Sequence, residues 1–414
     1  MKKKILVIGG GAIGLFCAYY LRKSGHSVTV VDKSDLSDNC SYGNAGLIVP
    51  SHVIPMASPG MVSSAFRYML NPKAPVAFKF PPSLSFLLWS SRFLMKANHL
   101  HAWRSAAILK EISLLSKGLY HNLMKNGEIA VGLEESGLLV VCRSPKVKTE
   151  EAEAAEIANE VGVAARVLSS EEVLKMEPSL MQEIAGGVYY PGDGRLNPPQ
   201  LMRSLLSHLE DQGVFFMRNA TVKKLEKKGN AYKYAVVNGE QIEFDELVIA
   251  AGVWSNDLLK LVGNKVLLQP GRGYSFDVEN TCSIRKPALL IDARVSVTPF
   301  VDGTVRFGGG MELGYFGKSI FRKRVSEICK SANQYYPGLG KLEISNLQIW
   351  QGHRPCSFDG LPYIGRVPKH DNVYLATGHS MMGITLAPAT GKLVSELIGE
   401  VEPSMDVSAF RVDR

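Results

Sequence analysis

The chain has 414 residues, 46% of them hydrophobic and 21% charged, ample for the core of a soluble globular protein of two or three domains. The net charge of +8 comes from dispersed lysines and arginines with no nucleic-acid motif beside them, so a nucleic-acid partner is not expected. Six cysteines (17, 40, 142, 282, 329, 356) show no CxxC and no metal-ligand spacing, which argues against a metal site or a disulfide framework and for free thiols in a reducing cytoplasm.

The chain opens with lysines 2–4, an apolar run at 5–8 and Gly9-Gly10-Gly11-Ala12-Ile13-Gly14. This reads as a buried strand entering a Gly-x-Gly-x-x-Gly turn. Gly9 allows the bend, Gly11 admits a pyrophosphate close to the backbone, and Gly14 lets the following helix pack on the strand. A helix N-terminus there offers unpaired N–H groups and a positive dipole end to phosphates. Ile13, Phe16, Cys17, Tyr20 and Leu21 mark one face of that helix and Gly25 its C-terminal cap. The patterning, and the lack of a small-x-small cleavage site, disfavour a signal peptide or membrane anchor. A second strand at 28–31 ends at Asp32, placed to accept both hydroxyls of an adenosine ribose.

A nicotinamide dehydrogenase would continue here through further βαβ units. Instead there is a polar loop at 40–46 and a proline-rich stretch at 50–82. Residues 81–95 (PPSLSFLLWSSRFLM) are too short and interrupted to span a bilayer. They fit a helix packed on a domain interface, or an amphipathic element at a membrane surface. Further on, 102–122 reads as an amphipathic helix with Ile108, Ile112, Leu115 and Leu119 on one face, 137–142 as a strand, and 150–161 as a charged helix. A helix at 199–211 precedes a strand-turn-strand at 213–226, and 246–252 is a buried strand ending in small residues. Residues 296–309 form a hairpin around Asp302-Gly303 as a two-residue turn. A strand at 372–377, a glycine-bounded loop at 378–383 and a helix beginning near Thr385 follow, with Leu386, Ala389, Leu393 and Leu397 on one face and Pro388 in the first turn.

The pattern predicts an α/β protein. A discontinuous Rossmann-like dinucleotide domain (1–80, 196–256 and 345–414) is interrupted twice by a substrate domain (81–195 and 257–344) with a mixed or antiparallel sheet and helices.

The order and spacing of these motifs resemble the D-amino acid oxidase superfamily of FAD-dependent oxidoreductases, over essentially the whole chain. The resemblance rests on KILVIGGGAIG with Asp32, on SYGNAG at 41–46 followed by Pro59-Gly60, and on VIAAGVWS at 248–255. It rests further on HRPCSFDGLPYIGR at 353–366 and on the run 372–398. The SYGNAG loop is similar to that of bacterial D-amino acid dehydrogenases, and the GITLAPATG ending to that of glycine oxidase. The resemblance implies a non-covalent FAD and a cofactor-binding set in three groups. These are Gly9, Gly11, Ala12, Ile13, Gly14, Asp32 and Lys33; then Ser41, Asn44, Ala45, Gly46, Leu47, Val222, Ala250, Ala251, Gly252 and Trp254; then Gly378, Met382, Gly383, Ile384 and Thr385.

The resemblance also places the substrate-carboxylate arginine at Arg354, where a guanidinium in an apolar stretch needs an anionic partner. A structural salt bridge to Asp359 is the alternative. Tyr274 faces the flavin on this resemblance, its hydroxyl either meeting the substrate carboxylate or reaching solvent from a core position. His52 and His379 stand near expected flavin loops as substrate-side residues, His379 more as a hydrogen-bonding than a basic group. Cys356 lies beside the arginine and not where a flavin tether is expected. No catalytic side-chain base is needed, because a neutral amine passes its Cα hydride to flavin N5, and water hydrolyses the imine to a 2-oxo acid and ammonia. The expected substrates are D-amino acids, including imino acids such as D-proline or hydroxyproline. The sequence leaves the electron acceptor open between dioxygen and a respiratory or artificial acceptor such as a quinone or electron-transfer chain; the expected location is the cytoplasm or a peripheral position on the membrane through residues 81–95. An oxygen-using glycine, sarcosine or small-amine oxidase, and a flavin-binding partner protein without turnover, are the competing assignments.

Overall fold

The computed structural model describes residues 1–58, 76–78, 83–317 and 319–414. Pro59-Gly60 and the first two residues of the 81–95 segment lie outside these. A six-stranded sheet runs in the order Tyr363–Arg366, Val373–Thr377, Glu246–Ile249, Lys4–Ile8, Ser27–Val31, Phe215–Met217. All its pairings are parallel except the first, Tyr363–Arg366 with Val373–Thr377. Three distant stretches of chain therefore meet in one sheet, the Rossmann-like arrangement that the motif order predicts.

Helix Ala12–Lys23 covers this sheet, and the C-terminal helix Gly383–Gly399 packs against it. Their approach is close: a Cβ on Gly391 would stand 2.4 Å from the Phe16 carbonyl carbon. The expected one-sided stripe on the first helix understates its burial. Leu15, Ala18 and Tyr19 are also buried, because the C-terminal helix and helix Pro198–Asp211 both flank it. Gly25 takes a left-handed φ of 88° just beyond the capping Ser24.

A larger, mixed sheet forms the second layer. Its order is Trp350–Ser357, Leu268–Glu279, Thr304–Leu313, Val295–Pro299, Ala288–Leu290, Leu138–Cys142, Gly186–Tyr190, Arg166–Leu168, with Val76–Phe78 beside Thr304–Leu313. The predicted hairpin is here, but its loop has three residues. Phe300 N–H bonds to Thr304 at 2.7 Å, leaving Val301, Asp302 and Gly303 outside the ladder, with Gly303 at φ 82°. Strand Val222–Lys228 leaves the dinucleotide sheet for a separate three-stranded one.

Two helix boundaries differ from the sequence pattern. The amphipathic helix at 102–122 extends over His99–Asn126, started by the Asn98 side chain, which accepts from His101 N–H at 2.9 Å. The C-terminal helix starts at Gly383, so Pro388 falls inside it rather than in its first turn. A proline there leaves the Ile384 carbonyl without its helical donor. The Tyr120 hydroxyl donates to that carbonyl at 2.7 Å, which accounts for the proline being tolerated.

Residues 84–96 form a helix with two apolar faces. Phe86 and Trp89 are buried, Phe93 stacks on Trp89, and Trp89 Nε1 donates to the Cys356 carbonyl at 3.0 Å. Leu84, Leu87, Leu88, Leu94 and Met95 are exposed, as are Leu100 and Trp103 on the next helix. No described helix is long and apolar enough to cross a membrane.

Candidate active site

One cavity of about 1520 Å³ runs between the two sheets, beyond the roughly 300–1,000 Å³ of a drug-sized ligand site. It has room for a dinucleotide and a second small molecule. Its lining includes Gly9, Gly11, Ala12, Ile13, Asp32, Lys33, Ser41, Asn44, Ala45, Leu47, Val222, Ala250, Ala251, Gly252, Trp254, Met382, Gly383 and Ile384, with His52, Tyr274, Arg354 and His379. Gly14, Gly46, Gly378 and Thr385 are not on its wall and act from behind it.

At the nucleotide end the reasons for the glycines are steric. A Cβ on Gly9 would sit 2.5 Å from the Ala250 carbonyl oxygen, and one on Gly14 1.8 Å from the Gly9 carbonyl oxygen. Gly11 brings no side-chain cap to helix Ala12–Lys23; Ser41 Oγ accepts from the Ala12 amide at 3.0 Å, and the rest of the first turn is left to an anionic ligand. The Asp32 carboxylate is oriented by Gly10 N–H at 2.7 Å and by the Ser34 amide and hydroxyl at 2.8 and 2.7 Å. Lys33 Nζ lies 3.2 Å from the Trp254 ring centre. This donor set fits a dinucleotide: an open helix end for the pyrophosphate and a positioned carboxylate for a ribose.

The loop at 41–46 is held from the opposite sheet. Arg306 Nη1 donates to the Tyr42 and Asn44 carbonyls at 2.8 and 2.7 Å while its other nitrogens fork onto Asp277. Ser275 Oγ donates to the Gly43 carbonyl at 2.9 Å, and Trp350 lies so close that Gly43 has no space for a Cβ. Thr385 Oγ1 donates to the Leu47 carbonyl at 3.0 Å. Arg306, Ser275 and Trp350 carried no sequence signal beyond an arginine inside a hairpin strand, since their partners are far away in the chain.

At the other end of the cavity Arg354 lines the wall. Its Nη1 donates to the Gly310 carbonyl at 2.7 Å and makes no ion pair with a described residue. The alternative partner, Asp359, is instead forked by Arg414 at 2.7 and 3.1 Å. Gly273 makes the passage for this side chain, because a Cβ there would lie 2.1 Å from Arg354 Nη1. Burial pulls the guanidinium below the usual arginine range, a cost that a bound anion would offset.

Tyr274 lines the cavity, and its hydroxyl is hydrogen-bonded within the protein. Its hydroxyl donates to Glu312 Oε2 at 2.8 Å and accepts from the Phe321 amide. Glu312 also binds Arg272 at 2.7 Å, with Arg324 at 3.7 Å, so the hydroxyl is committed to a buried ion cluster and not to a ligand. His379 Nε2 pairs with Thr390 Oγ1 at 2.9 Å, and burial pushes its pKa down to about 3, so it is neutral at working pH. His52 faces the cavity after strand Leu47–Ile48, its pKa lowered by burial and then by the charge of Arg294. Its neighbour Ser51 is anchored by amide and hydroxyl to Asp193, whose carboxyl burial raises to about 7.

Comparison with known proteins agrees with this arrangement. The family model described as FAD dependent oxidoreductase matches residues 4–397. D-amino acid dehydrogenase of Helicobacter pylori is 30% identical over 419 residues, covering 99% of this chain and 98% of its own. The D-amino acid dehydrogenase of Vibrio vulnificus (strain YJ016) is 30% identical over 404 residues, 95% of each chain. Among solved structures, glycine oxidase from Geobacillus kaustophilus superposes with a TM-score of 0.79 at 22% identity, covering 100% of this chain and 99% of its own, a likeness of fold. With the family model spanning nearly the whole chain and a dinucleotide cavity between its two sheets, this chain belongs to the FAD-dependent oxidoreductases.

Proposed function

We propose that this protein oxidatively deaminates D-amino or D-imino acids, yielding a 2-oxo acid and ammonia or a cyclic imine, and passes the electrons to an acceptor other than dioxygen. The observation that carries this is Arg354, a half-buried guanidinium on the cavity wall whose close hydrogen-bonding partner among the described residues is the neutral Gly310 carbonyl. An amino acid carboxylate is the bidentate anion that such a group binds best. FAD, when bound, takes up the hydride that leaves the substrate α-carbon. Arg354 holds the carboxylate and so fixes which face and which Cα–H meet the cofactor. No lining histidine needs to store a proton: His379 is neutral, and an amine that enters deprotonated supplies its own lone pair. The uncapped N-terminus of helix Gly383–Gly399 reaches the cavity wall and favours negative charge developing there.

The cofactor is held without a covalent bond. Cys356 is fully buried, its thiol pushed up to about 11 by burial, and a thiol so protonated is a poor nucleophile. For the acceptor, the support is the helix Leu84–Lys96: Leu87 and Leu94 are at once exposed and on the cavity wall, so the cavity reaches the surface at an apolar patch. The test is anaerobic bleaching of the flavin by a panel of D-amino acids, with Arg354→Lys as control. The variant retains flavin and its KM rises by about tenfold or more. An unchanged KM, or bleaching by none of the panel, rejects the assignment. Peroxide formed in air in step with substrate loss rejects the acceptor.

A further inference from the structure

Among the described residues, three arginines line the cavity: Arg294, Arg324 and Arg354. Arg324 is answered by Glu312, and Arg354 is the carboxylate clamp argued above. Arg294 makes no ion pair with a described residue. Glu151, whose carboxyl burial raises, feels its charge but lies outside ion-pair distance. Arg294 also holds a left-handed φ of 55°, a conformation costing a non-glycine residue on the order of 1–3 kcal/mol and kept where the surroundings impose it. The turn before strand Val295–Pro299 imposes it here, closed by Arg294 N–H to the Ile291 carbonyl at 3.2 Å.

Its place in the sheet matters more. Val295 pairs with Gly309, so Arg294 stands beside Gly310, the residue whose carbonyl receives Arg354. The Arg354 side chain crosses one strand over Gly273 to reach that point, and Arg294 departs from the next strand along. Adjacent strands lie about 4.8 Å apart, so the backbone of Arg294 starts one strand beyond the carbonyl that receives Arg354, and both residues line the same cavity. His52, within the electrostatic reach of Arg294 and on the same cavity wall, adds a neutral imidazole to that end.

We propose that Arg294, with His52 beside it, forms the subsite for the substrate side chain and selects amino acids whose side chain ends in a carboxylate. This rests on the proposed oxidation of D-amino acids and names the class of substrate within it. Arg294 is exposed on the cavity wall, so it selects by attracting a side-chain carboxylate, a contact that an apolar side chain cannot make.

The test compares kcat/KM for D-glutamate with that for D-norvaline and D-proline, in the parent enzyme and in Arg294→Met. Methionine keeps the Cβ, and with it the backbone strain, but removes the charge. The parent prefers D-glutamate over D-norvaline by about tenfold or more, and Arg294→Met lowers that ratio by a similar factor, chiefly through KM. Arg294→Lys recovers part of it. Glutarate, which has no amine to oxidise, gives a readout without turnover: its Kd, from perturbation of the flavin spectrum, weakens about tenfold in Arg294→Met. A parent that prefers D-norvaline or D-proline, or a ratio unchanged by Arg294→Met, overturns the subsite while D-amino acid oxidation stands. Flavin that no D-amino acid bleaches overturns both.

Discussion

Burial decides what a single polar residue can do here, and the histidines show it. His379 has its pKa lowered from 6.5 to about 3 by burial. As pH falls through 6.5 the unfolded chain takes up this proton while the folded chain does not until about 3. The contribution of His379 to stability is therefore complete above pH 6.5 and is lost on descending toward 3, on the order of 3 kcal/mol at pH 4. His379→Gln keeps a hydrogen-bonding group for Thr390 and flattens the fall of melting temperature between pH 6.5 and 4. Parallel curves for parent and variant would reject the role. At this scale local chemistry singled out Arg354, an arginine in an apolar run, and the structure pairs the alternative partner Asp359 with Arg414 instead. Tyr274 was not legible, because Glu312, which captures its hydroxyl, lies 38 residues away. Arg294 gains its meaning only from the strand paired beside it.

Secondary-structure elements were found where hydrophobic periodicity is strong, and misplaced at their ends, where tertiary partners decide. The three-residue hairpin loop follows from Gly303 adopting φ 82°, a choice that Asp-Gly also permits in a two-residue turn. The early start of helix Gly383–Gly399 depends on Tyr120, more than 260 residues earlier, taking the carbonyl that Pro388 cannot serve. Two substitutions test this pairing. Tyr120→Phe leaves the Ile384 carbonyl buried without a donor and destabilises by about 1–3 kcal/mol. Pro388→Ala restores a backbone N–H, so in that background Tyr120→Phe costs markedly less. Equal losses in chemical denaturation, with and without Pro388, would show that the hydroxyl does not substitute for the proline.

On the scale of the whole molecule, the outer face of helix Leu84–Lys96 is the largest departure from an ordinary soluble surface. Leu84, Leu87, Leu88, Leu94 and Met95 are exposed, and from Ser83 to Lys110 the chain carries Arg92, Lys96, Arg104 and Lys110 but no acidic residue. An apolar face within a basic stretch is the composition expected of a surface that contacts anionic lipid. The protein therefore floats with anionic vesicles and less with neutral ones, and Leu84→Ser with Leu88→Ser, both on the exposed face, release it while the flavin stays bound. Equal partition of parent and variant would reject the contact. The centre of the dinucleotide sheet was legible because Lys4–Ile8, Glu246–Ile249 and Val373–Thr377 are apolar runs that lead into small residues, whereas the antiparallel edge strand Tyr363–Arg366 was not. The grip of Arg306 and Trp350 on the flavin loop was not, since it joins two sheets. That assembly from distant stretches also governs biosynthesis. The glycine turn is translated hundreds of residues before its neighbour strand Glu246–Ile249 and the helix Gly383–Gly399 that lines the cavity. A nascent chain that lacks these two elements has only part of the cavity wall, so firm retention of flavin is expected to wait for their synthesis.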